Sequence, residues 1–280
     1  MKKTVAAVIL AFGLVLAASS EYRMERSLEK FPFSYHLLYL PSGKYLRITS
    51  MGFSCLMADF IYLWSIQFYS NYEIKDRYRY LEHIYSKIIP DLDPHYLDPF
   101  LIGALIMAAE TRDTEMALRL LDQGIALNPD RWILAYDAGM YCFQMKDFSR
   151  AAYYFEKAMK APDVHPSIKR MYAGMFERMG NRETAYGYWL EIYRTSHEDE
   201  YARNIAWMHV HDLKIEIDLA KINEAIGQFQ SKHGRRPARL GDLVTAGFLP
   251  EIPLDPNGKE YIYDRKEGIA RPATQLILKR

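Results

Sequence analysis

The chain has 280 residues, half of them apolar, and 36 basic against 35 acidic side chains leave a net charge of +1. That balance fits a globular protein and excludes the concentrated positive field of a nucleic-acid binder; the one basic cluster, Lys232, Arg235, Arg236 and Arg239, is short and has no aromatic platform beside it. The two cysteines, Cys55 and Cys142, stand in neither a CxxC nor a CxxCH arrangement, which argues against thioredoxin-like chemistry and covalent haem and leaves buried free thiols as the expectation.

The opening, MKKTVAAVILAFGLVLAASSEYR, sets two lysines before about fifteen apolar or small residues, Thr4 to Ala18. Lysines stay on the cytoplasmic side while such a run enters the membrane. Residues 1–20 are therefore expected to be a signal peptide or an N-terminal membrane anchor. The run is short of the roughly 20 residues that span a bilayer, which favours cleavage, and Ala17 with Ser19 or Ala18 with Ser20 offer small residues to a peptidase. This places the rest in a bacterial periplasm, with the inner membrane reached through residues 4–20 if the segment is retained. No cysteine near Ala18 provides for a lipid anchor.

Residues 21–54 read as an extended lead-in, two short pieces around the turn Pro41-Ser42-Gly43-Lys44. The PSGK lacks the upstream glycine and the spacing of a phosphate loop. The stretch LYLPSGKYLRITSMGFSCLMADFIYLWSIQFY resembles the opening of a group of uncharacterised membrane-associated bacterial repeat proteins, a likeness that implies one exported polypeptide and no activity. Within residues 55–97, MADFIYLWSIQFY and RYRYLEHIYSKII carry apolar spacings of three and four. They predict a helix pair, interrupted at Asn71 to Arg77 and ended by Pro90 and Pro94.

Three alanines then stand 34 residues apart: Ala117, Ala151 and Ala185. Four positions after each comes a bulky residue, Leu121, Phe155 and Trp189, and three further on come Gly124, Ala158 and Ile192. With Gly139 and Phe148, the middle unit AYDAGMYCFQMKDFSRAAYYFEKAM resembles the tetratricopeptide repeat column by column. That family's period is 34 residues. The departures are Leu105, where a small residue belongs, and Ile192. The third unit has Ala173 in the small position and Gly180 at its turn. The resemblance implies an all-α fold, a TPR-like solenoid of antiparallel helix pairs with units at 98–131, 132–165 and 166–197, preceded by a degenerate pair at 55–97. In that family the first helix of each pair lines a peptide-binding groove. The same phase here points to Ile102, Ile106, Ala109 and Glu110 in the first unit. It points to Ile133, Tyr136, Met140, Phe143 and Gln144 in the second, and to Arg170, Glu177 and Arg178 in the third. Intramolecular packing is the competing role, above all for Ile106 and Phe143.

Residues 198–232 are expected to cap the stack with one more helix from Asp199 to His211 and then a long amphipathic helix. The second would set Leu213, Ile215, Leu219, Ile222, Ile226 and Phe229 on one side. Residues 233–280 form a terminal module. Gly234, Arg235, Pro237, Leu240, Leu243, Pro253, Asp255, Pro256, Gly258, Tyr261 and Tyr263 resemble the segment behind the long helix of type II secretion pseudopilins: a breaker, a short helix, a D-P-x-G turn and a strand. The pseudopilin leader, with its glycine and its glutamate, is missing from MKKTVAAVILAFG, so the chain is not itself a pilin subunit.

The eight histidines are scattered, and His209 and His211, two apart on a helix, point to different sides and cannot share a metal readily. There is no GxSxG elbow, HExxH or Walker glycine loop. The reading is a non-catalytic exported scaffold, without cofactor or metal, that holds a protein or peptide partner in an envelope assembly. The alternatives are an accessory factor of a type II secretion or type IV pilus system, and an enzyme with an unrecognised site.

Overall fold

The computed structural model describes residues 40–70, 72 and 77–278, together with the isolated positions 15 and 19. The expected membrane segment and the first half of the expected lead-in lie outside the described residues. Those described are mostly helical, with one two-stranded sheet among them. The chain divides into two compact units, 1–120 and 121–280, and each is taken by itself.

In the first unit, helix α1 spans Gly43–Thr49. Ser42 begins it, its hydroxyl accepting from the Tyr45 N–H at 3.4 Å, as a serine at an N-cap should. Pro41-Ser42-Gly43-Lys44 is thus a helix start, not the expected turn between extended pieces. Gly43 is buried, and a Cβ there would lie 2.5 Å from both Asp91 Cβ and the Ile88 carbonyl oxygen. Only glycine permits that approach. Helix α2, Ser54–Tyr69, buries Ala58, Ile61, Tyr62, Ser65 and Phe68, the spacing of one helical face. Ser65 Oγ and Tyr85 Oη are hydrogen-bonded at 2.8 Å.

Helix α3, Arg77–His83, runs on through a π turn, Ile84–Ile88, into α4, Ile89–Leu92. Pro90 therefore does not end the helix. A proline lacks an N–H and its ring crowds the carbonyl four residues back, and the widened π turn ahead of it accommodates both.

A second π turn, Met107–Thr111, closes helix α5, Asp98–Ile106, and it changes the phase at Leu105. The Asp113 N–H reaches back six residues to the Met107 carbonyl, whereas Asp147 and Asn181 reach back five, to Cys142 and Phe176. One extra residue is thus absorbed in the last turn. The small buried position is Ala104, fully enclosed, while Leu105 is half exposed. Helix α6 follows at Thr114–Leu127.

The second unit orders α7, Trp132–Gln144; α8, Phe148–Met159; α9, Ser167–Arg178; and α10, Arg182–Thr195. Each packs on the next. Gly139 lets α7 approach α8, since a Cβ there would sit 2.6 Å from the Phe155 ring. Ala151, Phe155, Ala158, Ala185, Trp189 and Ile192 are all buried.

Helix α11 is one continuous helix, Glu200–His233, about 50 Å long, where the sequence pattern predicts two capping helices. Asp199 caps it through the Ala202 N–H at 2.9 Å, and no proline interrupts it before Gly234, which ends it at φ 66°. Its first half joins the α10 core through Ala206, Val210 and Leu213. Its second half joins the terminal module, Ile215, Ile222, Ala225, Ile226 and Phe229 packing with Leu240, Leu243, Tyr261 and Ala270. The expected single apolar face is therefore divided, Leu213 turning to the stack and the rest to the module.

The module itself is helix α12, Gly241–Thr245, then strands β1, Ile262–Asp264, and β2, Ile269–Arg271, antiparallel with Tyr263 opposite Ala270. Asp255 organises the turn before them, accepting from the Asn257 and Lys259 N–H groups and the Thr274 hydroxyl. Burial pushes this carboxyl upward, but those donors outweigh it and hold it below its ordinary range.

Candidate functional site

The turns between paired helices set the phase of every side chain on the expected groove. Arg112, Lys146 and Gly180, 34 residues apart, all adopt left-handed backbone, at φ 56°, 62° and 75°. The next residue in each case caps the following helix: Asp113 accepts from Met116, Asp147 from Arg150 and Asn181 from Thr184. In the second and third turns the same residue's N–H reaches back five positions and its predecessor's reaches back three, from Lys146 to Phe143 and from Gly180 to Glu177. That is a Schellman C-cap fused to an Asx N-cap.

The candidate groove residues separate accordingly. In the first unit Ile106 is buried, and the π turn is the reason, having moved the phase by one residue. Ile102 is exposed. Glu110 is exposed but accepts from the Tyr78 hydroxyl at 3.1 Å. In the second unit Ile133, Tyr136, Met140 and Phe143 are half-buried and Gln144 is exposed. Trp132 and Tyr136 meet edge to face with centroids 5.9 Å apart. Burial holds the Asp137 carboxyl above its usual range, as an apolar surround does.

The structure brings Phe143 and Arg178 together, the guanidinium lying 5.0 Å over the ring and 5.7 Å from that of Phe148. Glu177 does not face outward. Its Oε1 lies 2.7 Å from His209 Nδ1, with the carboxylate side chain 11% exposed. The His209 ring stacks on Trp189, centroids 4.0 Å apart and 4° between planes. Glu177 is thus part of the α9–α11 packing, and its place in the predicted groove is corrected. The i to i+3 and i+4 phase of α9 could not show this, because the helix that covers Glu177 begins only at Glu200.

Arg170 lies apart from those residues, at a cleft of about 700 Å³. Met159, Val164, Ile192 and Ala202 supply its apolar lining, and Lys169, Arg170, Glu198 and Asp199 its charged lining. Lys169 also reaches Glu191 at 2.7 Å. An apolar floor with both basic and acidic side chains at its rim suits an extended segment carrying an aliphatic side chain and polar neighbours of either charge. Sequence reasoning missed this cleft because it gathers residues from four helix ends.

His209 and His211 are each taken up in packing, while His83, His95, His165, His197 and His233 are exposed. His211 Nδ1 lies 2.8 Å from Asp212 Oδ1 and its Nε2 3.3 Å from Asn257 Nδ2, with both His211 and Asp212 1% exposed. Asp212 in turn accepts from the Ile277 and Leu278 N–H groups at 2.9 and 2.8 Å. Among the described residues, no group of three His, Cys, Asp or Glu side chains is placed to hold a metal. Neither cysteine is in a disulfide, Cys142 being buried and Cys55 exposed, the latter against expectation. Among the described residues no helix is long and apolar enough to cross a membrane.

No protein family and no curated protein matches this chain.

Proposed function

We propose that the chain is an exported, non-catalytic scaffold of the tetratricopeptide type, a TPR-like solenoid that holds a protein partner against α7, α9 and the neighbouring cleft. The observation that carries this reading is the turn recurring at 34-residue spacing, left-handed residue and capping residue together, at Arg112-Asp113, Lys146-Asp147 and Gly180-Asn181. A period expressed in backbone geometry belongs to a repeat architecture, whose usual work is to present one helix of each pair to a ligand. On this reading Tyr136, Met140, Phe143 and Gln144 meet the partner's apolar side chains, and Arg170 and Arg178 meet its carboxylates.

The test is photo-crosslinking in cells from Tyr136, Gln144 and Arg170, with Tyr153, exposed on α8, as the control. The proposal expects one protein captured by the first three positions and not by Tyr153. Capture from Tyr153 alone would end it.

The second reading is an accessory role in a type II secretion or type IV pilus system. It is favoured by the order of the terminal module, long helix, Gly234 break, short helix α12, Asp255 turn and strand. Co-purification of pseudopilins with the full chain, lost when Tyr261 and Tyr263 are replaced, would select it.

A further inference from the structure

The first unit leaves an apolar face open, independent of the groove. Helix α2 is apolar on both sides: it buries Ala58, Ile61, Tyr62, Ser65 and Phe68, yet Leu56, Phe60 and Leu63 on the other side are exposed by half or more. These fall at i, i+4 and i+7, one stripe of the helix. Exposed apolar side chains continue back along the chain with Phe53, 69% exposed, Met51, 88%, and on α1 Ile48, 79%, and Tyr45. A soluble surface rarely leaves so many large apolar side chains exposed within one short segment, and they need an apolar medium or a partner.

Three features specify that medium. The exposed charged side chains of residues 43–69 are Lys44, Arg47 and Asp59; the basic pair sits at the α1 end, next to Tyr45 and Ile48, and Asp59 lies on the α2 stripe between Leu56 and Leu63. Bulky aliphatic and aromatic residues flanked by long basic side chains are the composition of a segment lying in a headgroup boundary. The apolar run Thr4 to Ala18 precedes this face by about two dozen residues, and they extend at most about 85 Å. With that run retained as an anchor, a reading on which this part of the inference rests, the bilayer it enters stays within reach of the face at high effective concentration. A second copy laid on the same face by two-fold symmetry would bring Phe60 and Leu63 against themselves, and with them the two Asp59 carboxylates, whose like charges repel. We propose that this face of α1 and α2 rests on a lipid bilayer, Ile48, Met51, Phe53, Phe60 and Leu63 entering the headgroup boundary and Lys44 and Arg47 lying at the level of anionic phosphates.

The test uses the full chain carrying an environment-sensitive fluorophore on Cys55, which is exposed while Cys142 is buried. The labelled chain is placed in vesicles of phosphatidylethanolamine and phosphatidylglycerol with or without brominated acyl chains. The proposal expects bromine to quench the label. Quenching should be lost in the Phe60→Glu, Leu63→Glu double variant and reduced in Ile48→Ser, Met51→Ser, each checked for unchanged helical circular dichroism. Since the two pairs lie on different elements, misfolding of one leaves the other to decide. Equal intensity in both kinds of vesicle overturns the proposal, because a chain tethered by its N-terminus alone would leave the label in water. Concentration-dependent energy transfer between labels without bromine quenching overturns it as well, and assigns the face to a second copy. Neither result touches the groove, whose crosslinks arise from the other unit.

Discussion

The Phe155 ring occupies the place a side chain on Gly139 would need: a Cβ there would lie 2.6 Å from Cε1 and 2.8 Å from Cδ1. Gly139→Ala gains about 1 kcal/mol of helix propensity, but it overpacks a fully enclosed ring, at a cost of about 1–3 kcal/mol. A net loss of stability in urea unfolding is expected. In a Phe155→Leu background the same substitution should become neutral or stabilising, and additive effects of the two changes would show that they do not touch.

Gly174, Gly187 and Gly227 are the counter-case. Each lies inside a helix, and a methyl group added there would meet nothing within 4 Å. Replacing each by alanine should raise stability by about 0.5–1 kcal/mol, read as a higher thermal midpoint.

The repeated turn predicts an opposite pair. Lys146 holds φ 62° with a side chain attached, where Gly180 holds φ 75° without one. Lys146→Gly should stabilise and Gly180→Ala destabilise, each by about 1 kcal/mol. Asp147→Ala removes the cap of the Arg150 N–H and should cost about 1 kcal/mol. Denaturant melts of the three variants check all of this.

Alkaline pH should unfold the protein through its tyrosines. Burial first, then nearby Asp122 for Tyr154 and Asp218 for Tyr261, raises those phenols, and burial likewise raises Tyr85 and Tyr172. Tyr96 is pushed up to about 12. A folded-state value above the unfolded one means that the stabilisation is fully present below the ordinary phenol value of about 10. It is lost as pH rises from there through the folded values. Tyrosinate absorbance should therefore rise in two stages, the second coincident with loss of helical circular dichroism. A single stage, with helix retained, would contradict the burial of these phenols.

Asp212→Ala should free the end of the chain without melting α11. It removes the acceptor of the Ile277 and Leu278 N–H groups, so hydrogen exchange at those two amides should approach that of unprotected backbone. Protection at Val210 and Leu213 should persist.

Local chemistry is legible in the sequence wherever a residue acts on its own neighbours. The 34-residue column, the capping residues and the Gly180 and Gly234 stops are all backbone preferences of single residues, and helical content follows from spacing. What spacing does not show is a change of phase. The π turns at Ile84–Ile88 and Met107–Thr111 each insert one residue without any glycine or proline inside them to mark it, so the local pattern misleads at Pro90 and Leu105.

The sequence by itself determined that helices of about twelve residues recur, with the small and large side chains that make them pack, because a helix's own periodicity places those residues on one face. Only the tertiary structure decided which polar side chains that packing consumes. Glu177 faces the solvent or His209 depending on where α11 crosses, and Asp212 is a surface acid or a backbone acceptor depending on where residues 277 and 278 return. Such partners lie 32 and 65 residues away, beyond the reach of any local pattern, since a hydrogen bond is fixed by the position of its acceptor in space and not along the chain.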